Sequence, residues 1–192
     1  MTICSWLIFA PWLALVGYWG LAARALKRRT GIKWIWWREI AVRLAFFAFV
    51  VLALQVAVLG HALPDAPTYA LNASVSMGVI GLLLSLLGIA LAIVARGHLS
   101  RNRPMPGSNE ENHELITTGP YALVRHPIYS GMLLAMLGSA IGQSVLWLLP
   151  LIAYGPAFIQ SARREEKLLL ERFPDRYRAY KKRTKMLLPF LL

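Results

Sequence analysis

The sequence is poor in three things: cysteine, acidic side chains and charge in general. Cys4 is its one cysteine, which excludes an internal disulfide and a thiolate metal cluster. Cys4 lies in an apolar run and reads as a packing residue. The four histidines include no HExxH or HxxxH pair, so zinc chemistry is disfavoured and no metal is expected. Asp and Glu total 9 against 21 Lys and Arg, for a net charge of +12. Charged residues make up only 16% of the chain and hydrophobic residues 57%, whereas soluble domains carry about a quarter charged residues. The balance points to a lipid-facing surface, and seven Trp and seven Tyr suit interfacial anchoring.

Long apolar runs follow one another. Ile3 to Ala23 is uncharged and long enough to cross the hydrocarbon core. Basic residues follow this run and none precede it, so it reads as a retained helix, not a cleaved signal. Ile40 to Gly60 is the second run, with Arg43 able to snorkel from its first turn. Val75 to Ala95 is the third, and it contains Gly78, Gly81, Gly88, Ser76 and Ser85. Such small residues suit close helix packing in lipid, although Gly is also simply tolerated in membrane helices. Ile128 to Ile159 is too long for one upright helix and is broken at Gly142-Gln143-Ser144. It reads as a hairpin, with a short arm from about Ile128 to Ile141 and a second from about Val145. The expected fold is an all-α polytopic membrane protein with about five transmembrane helices, the last two forming the hairpin.

The charges are sorted along this pattern. Arg24, Lys27, Arg28, Arg29, Lys33 and Arg38 lie between the first two runs, with Trp34, Trp36 and Trp37 among them. The segment from His61 to Ser74 holds only Asp65, and the hairpin tip is uncharged. Arg96 to Arg125 and the tail from Arg163 are strongly charged. The positive-inside rule then puts the amino terminus outside and the carboxyl terminus in the cytoplasm. A bacterial inner or plasma membrane is the default location. Sorted charge also makes a nucleic-acid partner unnecessary.

Two polar segments carry the chemistry. The first runs from Arg96 to Ile128. It includes Glu110, Glu111, His113 and Glu114, then a turn at Thr118-Gly119-Pro120 before Tyr121, then Arg125-His126-Pro127 ahead of the fourth apolar run. Pro127 suits a first helical position. His126 would stand at a helix start, with two ring nitrogens open to hydrogen bonding. The second segment opens with Arg163-Arg164-Glu165-Glu166 and runs helically to Phe173. A further helical piece begins at Pro174-Asp175, with Tyr177 and Tyr180 on one side. Lys181, Lys182, Arg183 and Lys185 form a basic run able to lie on anionic lipid. Carboxylates at a membrane boundary, such as Glu165 and Glu166, are candidates for a functional site.

The pattern His113-x-Leu115-x-x-x-Gly119-Pro120-Tyr121-x-x-x-Arg125-His126-Pro127-x-Tyr129-x-Gly131 resembles the core of the isoprenylcysteine carboxyl methyltransferases and of related bacterial phospholipid methyltransferase-like proteins. The tail, with Glu165-Glu166, Phe173, Tyr177, Tyr180 and Leu188-Pro189-Phe190, is similar to the same family. The likeness covers Arg96 to Phe190. It implies one membrane-embedded methyltransferase domain over 1–192, with variable spans over 1–74 and the family-like core over 75–192.

The resemblance implies S-adenosylmethionine bound in a cytoplasmic pocket and a lipophilic acceptor entering from the bilayer. His113, Leu115, Gly119, Tyr121, His126, Pro127, Ile128, Tyr129 and Glu165 would bind the cofactor. Glu166, Arg163, Arg125 and Tyr129 would serve catalysis. Ser161 stands where the carboxyl methyltransferases carry an arginine, so Arg163 becomes the candidate for that role, with Arg164 beside it. The foremost expected acceptor is a prenylcysteine-like carboxylate, with a phospholipid amine such as phosphatidylethanolamine as the alternative. An NADPH-dependent membrane reductase and a non-enzymatic scaffold are the competing classes.

Overall fold

The computed structural model describes residues 7–30, 74–101 and 115–188. Among these, the chain is helical and forms no strand. The helices are α1 (Phe9–Thr30), α2 (Val75–Arg101), α3 (Pro127–Gly142), α4 (Leu148–Arg172) and α5 (Pro174–Arg183). Residues 75–100 and 145–172 form helices long and apolar enough to cross a membrane, and Phe9–Leu21 and Pro127–Gly142 are shorter apolar stretches. Of the five expected spans, Ile40 to Gly60 lies outside the described residues.

Local chemistry sets the helix ends. Ser74 caps α2, its hydroxyl accepting from the Met77 amide at 3.3 Å, which satisfies one orphan amide of the first turn. Pro127 opens α3 with His126 as its cap, as the sequence predicts. The Gly142–Ser144 break is also where expected. The Gln143 and Ser144 amides both return to the Ser139 carbonyl, and a 3-10 turn over Val145–Trp147 leads into α4. Phe173 separates α4 from α5, its amide closing on the Leu169 carbonyl at 2.8 Å.

The most intimate pairing is α2 against α3, antiparallel. A Cβ added at Gly81 would sit 2.5 Å from the Gly138 carbonyl oxygen, and one at Gly138 would sit 2.7 Å from the Gly81 oxygen. At the other end Gly88 and Gly131 stand in the same relation, each against the other's carbonyl. With apolar side chains equally content in lipid, close backbone approach and interhelical hydrogen bonds must hold such a pair. Ser85 supplies one, donating to the Ala135 carbonyl at 3.2 Å while lying 3.2 Å from the Ser139 hydroxyl. Of the two readings of these small residues, the packing one therefore holds at Gly81, Ser85 and Gly88. Ser76 is exposed and meets Ser74 instead.

Helix α1 docks by its amino-terminal part. The buried Trp12 donates to the Ser139 hydroxyl at 2.9 Å and stacks on Trp147 with centroids 5.1 Å apart. Trp147 in turn donates to the Gln143 side chain. The hairpin tip, the start of α2 and the start of α1 thus share one end of the bundle, and Arg125 and Glu166 lie at the other. Much of the surface of α2 and of the first half of α4 is apolar. Val75, Val79, Leu83, Leu87 and Val94 on α2, with Leu149 and Ile152 on α4, are all exposed. Exposed apolar side chains in such number fit membrane association better than water.

Candidate functional site

The site forms where the start of α3, the last third of α4 and α5 converge. The chain enters it through a 3-10 turn, Gly119–Ala122. Gly119 has φ 61°, a left-handed conformation that glycine adopts at least cost. An added Cβ there would also meet the His98 ring at 3.0 Å. His98 Nε2 lies 3.0 Å from the Thr118 hydroxyl, and its ring stacks on that of Tyr121. The end of α2 thereby braces the turn.

The segment after α5 then zips onto the segment before α3. The Arg125 amide donates to the Lys185 carbonyl at 2.9 Å and the His126 amide to the Met186 carbonyl at 3.1 Å. Val124 and Lys185 form an isolated parallel bridge. The Ser130 hydroxyl donates to the Leu187 carbonyl at 2.5 Å, and the Tyr180 phenol to the Tyr121 carbonyl at 2.6 Å. The tyrosine spacing read from the sequence is realised, since Tyr177 and Tyr180 both face inward and are buried. Burial pushes the Tyr180 phenol up to about 12 and raises that of Tyr177 further.

Glu166 is the electrostatic centre. Arg125 Nε donates to its Oε1 at 2.6 Å, and Lys181 Nζ pairs with its Oε2 at 2.9 Å. The side chains of Arg125 and Glu166 are each only 8% exposed. Arg125 also donates to the main-chain carbonyls of Lys181 and Thr184. A carboxylate out of water needs such compensation for its lost hydration, and here two cations provide it.

Glu165, one residue earlier, differs in setting. It is half exposed and accepts from the Tyr129 phenol at 2.6 Å. His126 Nδ1 stands 3.4 Å from its other oxygen. The His126 ring stacks on Tyr129 with centroids 5.6 Å apart, and Tyr129 stacks on Phe158 at 5.0 Å. Tyr154 extends the row, 6.0 Å from Phe158. His126 is buried, and its Nε2 makes no hydrogen bond among the described residues. Glu166 Oε1 is 3.6 Å from that nitrogen, too far for one. The result is an aromatic wall edged by a carboxylate, with one unused polar atom. Such a wall attracts cations through its ring faces and its charge.

The structure therefore brings together Arg125, His126, Tyr129, Glu165 and Glu166. Pro127 and Ile128 lie within α3's first turn, Pro127 fully buried and Ile128 packed on the core. Gly119 and Tyr121 sit in the adjoining turn, and Leu115 is half-buried ahead of it. Arg163 is exposed on α4 and takes no part in the ion pairs among the described residues. His113 lies outside the described residues. Sequence reading missed His98, Lys181 as an ion-pair partner, and the Tyr154–Phe158 row. The row did carry a signal, because Tyr154, Phe158 and Glu165 recur at intervals that place them on one helix face.

Comparison with known proteins bears on this constellation. The chain is 34% identical over 112 residues to the cobalt-zinc-cadmium resistance protein CzcN of Cupriavidus metallidurans, covering 57% of this chain and 50% of that protein. It is 32% identical over 124 residues to a protein-S-isoprenylcysteine O-methyltransferase of Xenopus laevis, covering 60% of this chain and 41% of the relative. Its identity to the Saccharomyces cerevisiae protein of that name is 34% over 122 residues, with 59% and 49% covered. The chain spans about half the length of the curated relatives it matches or less. Residues 76–176 match the family described as phospholipid methyltransferase. That stretch runs from α2 through the hairpin to the start of α5 and contains Arg125, His126, Tyr129, Glu165 and Glu166, so the chain belongs to the phospholipid methyltransferase family.

Proposed function

We propose that this chain moves a methyl group from S-adenosylmethionine to a lipophilic acceptor, foremost a prenylcysteine-like carboxylate. The observation that carries the reading is the stacked His126–Tyr129–Phe158 wall with Glu165 at its edge. When bound, S-adenosylmethionine supplies an activated methyl on a sulfonium cation. The residues suit that group: ring faces and the Glu165 carboxylate favour its positive centres, and the unpartnered His126 Nε2 offers a hydrogen bond. Leu115, Gly119, Tyr121, Pro127 and Ile128 complete the binding set, together with His113, which the resemblance alone adds.

Methyl transfer needs alignment of the reacting groups more than proton traffic, so positioning dominates. Arg125, held by Glu166 and by two carbonyls, keeps the start of α3 and the residues after α5 in one register. A carboxylate acceptor needs a cation to orient it and no base, and Arg125 or the exposed Arg163 is suited to that. An amine acceptor must lose a proton, to Glu166 or His126. Phospholipid amine methylation is the second reading, favoured by the description of the family that residues 76–176 match.

In this reading the chain is a single multi-pass domain of about five spans. Its site faces the cytoplasm, its amino terminus lies outside, and its setting is a bacterial inner membrane. The acceptor enters laterally from lipid. The test is binding of S-adenosylhomocysteine and of NADPH to detergent-purified protein. It is followed by methyl-label transfer to a prenylcysteine analogue, phosphatidylethanolamine and total membrane lipid. Sub-millimolar S-adenosylhomocysteine binding is expected. Binding of NADPH alone would turn the assignment to a reductase, and binding of neither would leave a scaffold.

A further inference from the structure

The basic run over the last turn of α5 and Lys185 just beyond it enters the site through the Lys181 side chain and through main-chain carbonyls. The side chains of Lys182, Arg183 and Lys185 are exposed, and none forms an ion pair among the described residues. They border a shallow depression that Ala122 and Leu123 also line. Leu123 is 66% exposed and Leu188 is 48% exposed. A surface that sets bare leucines among cations is poorly suited to water. A nucleic acid would answer the charge and leave the leucines unexplained. The boundary of an anionic bilayer answers both, since headgroups meet the cations while leucines reach the acyl region. The location agrees, because Lys181 at the edge of the patch pairs with Glu166 near the end of α4, a helix long enough to cross a membrane.

We propose that the depression between the 3-10 turn and residues 181–185 docks an anionic phospholipid headgroup of the surrounding bilayer. Lys182, Arg183 and Lys185 contact it, and Leu123 and Leu188 lie at the acyl boundary. Docking there steadies the site, because carbonyls of the same stretch, Lys181, Thr184, Lys185 and Met186, hold Arg125 and His126. The proposal rests on the membrane placement given above and not on methyl transfer, and its test needs no activity.

The probe is phosphatidylglycerol, with phosphatidylcholine as the neutral control. Each is added to the detergent-purified full chain, and bound lipid is counted by native mass spectrometry. The chain should retain phosphatidylglycerol preferentially, and the preference should fall as salt rises from about 50 to about 500 mM. Each basic side chain near an anionic surface contributes roughly a fivefold factor, so the double substitution Lys182→Ala/Arg183→Ala should weaken binding about 25-fold. Amide exchange at residues 122–126 and 184–187 should slow with phosphatidylglycerol alone. Equal retention of the two lipids by the unaltered chain, a preference indifferent to salt, or a short RNA that phosphatidylglycerol fails to displace would each overturn the proposal. The salt series uses only the unaltered chain, so a misfolded double variant leaves the test intact.

Discussion

Replacing Glu166 with Gln keeps the side chain's shape and removes its charge, which isolates the electrostatic role of its pairing with Arg125 and Lys181. Breaking a buried ion pair by removing one partner costs about 3–5 kcal/mol. Two features reduce the figure here. Lys181 is 53% exposed, so it regains water when its partner goes. Arg125 is 8% exposed but keeps the Lys181 and Thr184 carbonyls. A loss of about 2 kcal/mol remains, the penalty of one incompletely satisfied buried cation. For a chain of this size that lowers the melting temperature by about 4–8 °C. Glu165→Gln is the matched comparison. Glu165 is half exposed and its bond to Tyr129 lies at the surface, so its loss should shift melting by only about 1–2 °C. Thermal unfolding in detergent, followed by fluorescence-detected gel filtration, reads both. Equal melting temperatures for the two variants would refute the assignment of Glu166 as the electrostatic centre of the site. Methyl transfer should fall sharply in Glu166→Gln although the protein stays folded at 25 °C. An unaltered rate would remove Glu166 from the mechanism.

Three further outcomes are expected. Glu165→Gln and Tyr129→Phe should each weaken S-adenosylhomocysteine binding about tenfold, the worth of one charge-assisted contact; isothermal titration with unaltered affinity would count against the aromatic wall as the cofactor site. Gly88→Leu should prevent the α2–α3 pairing, since the new Cβ would meet Ala135 N at 2.6 Å, whereas Gly17→Ala, with open space around it, should be neutral or slightly stabilising; yield of monodisperse protein distinguishes them. Burial raises the folded Tyr180 phenol to about 12 from an ordinary 10.0, so its contribution to stability is complete below about pH 10 and lost as pH rises through about 12, because only the unfolded chain ionises between them. Melting temperature should decline across that window, and Tyr180→Phe should flatten part of the decline; an identical decline in the variant would assign the effect elsewhere.

Local rules made much of this molecule readable in advance. The hairpin break needed only Gly142-Gln143-Ser144 between apolar runs, because loss of apolar continuity and helix-poor residues act within a few positions. The start of α3 needed only Pro127, and the division between α4 and α5 only Phe173-Pro174. Glu165 and Glu166 were also visible, and only the family resemblance divided them, one to the cofactor and the other to catalysis. Adjacent helix positions diverge by about 100°, so one carboxylate turns to Arg125 and Lys181 and the other to Tyr129. Which is which depends on the rotation of α4 against α3, and no short-range signal encodes that.

The sequence by itself determined the membrane character, the helical hairpin, the sorting of charge into segments between the apolar runs and the family likeness of the last two of those segments. Each follows from composition or from spacing within one segment. The tertiary structure alone decided which residues meet. Close approach of Gly81, Gly88, Gly131 and Gly138 sets the distance between α2 and α3. The residues after α5 fix Arg125 and His126 through main-chain carbonyls, which are chemically the same at every residue and so leave no mark in the amino-acid code. The exposed Arg163 follows from the same cause, since helix phase, not nearness in sequence to Glu165, governs what a side chain can reach.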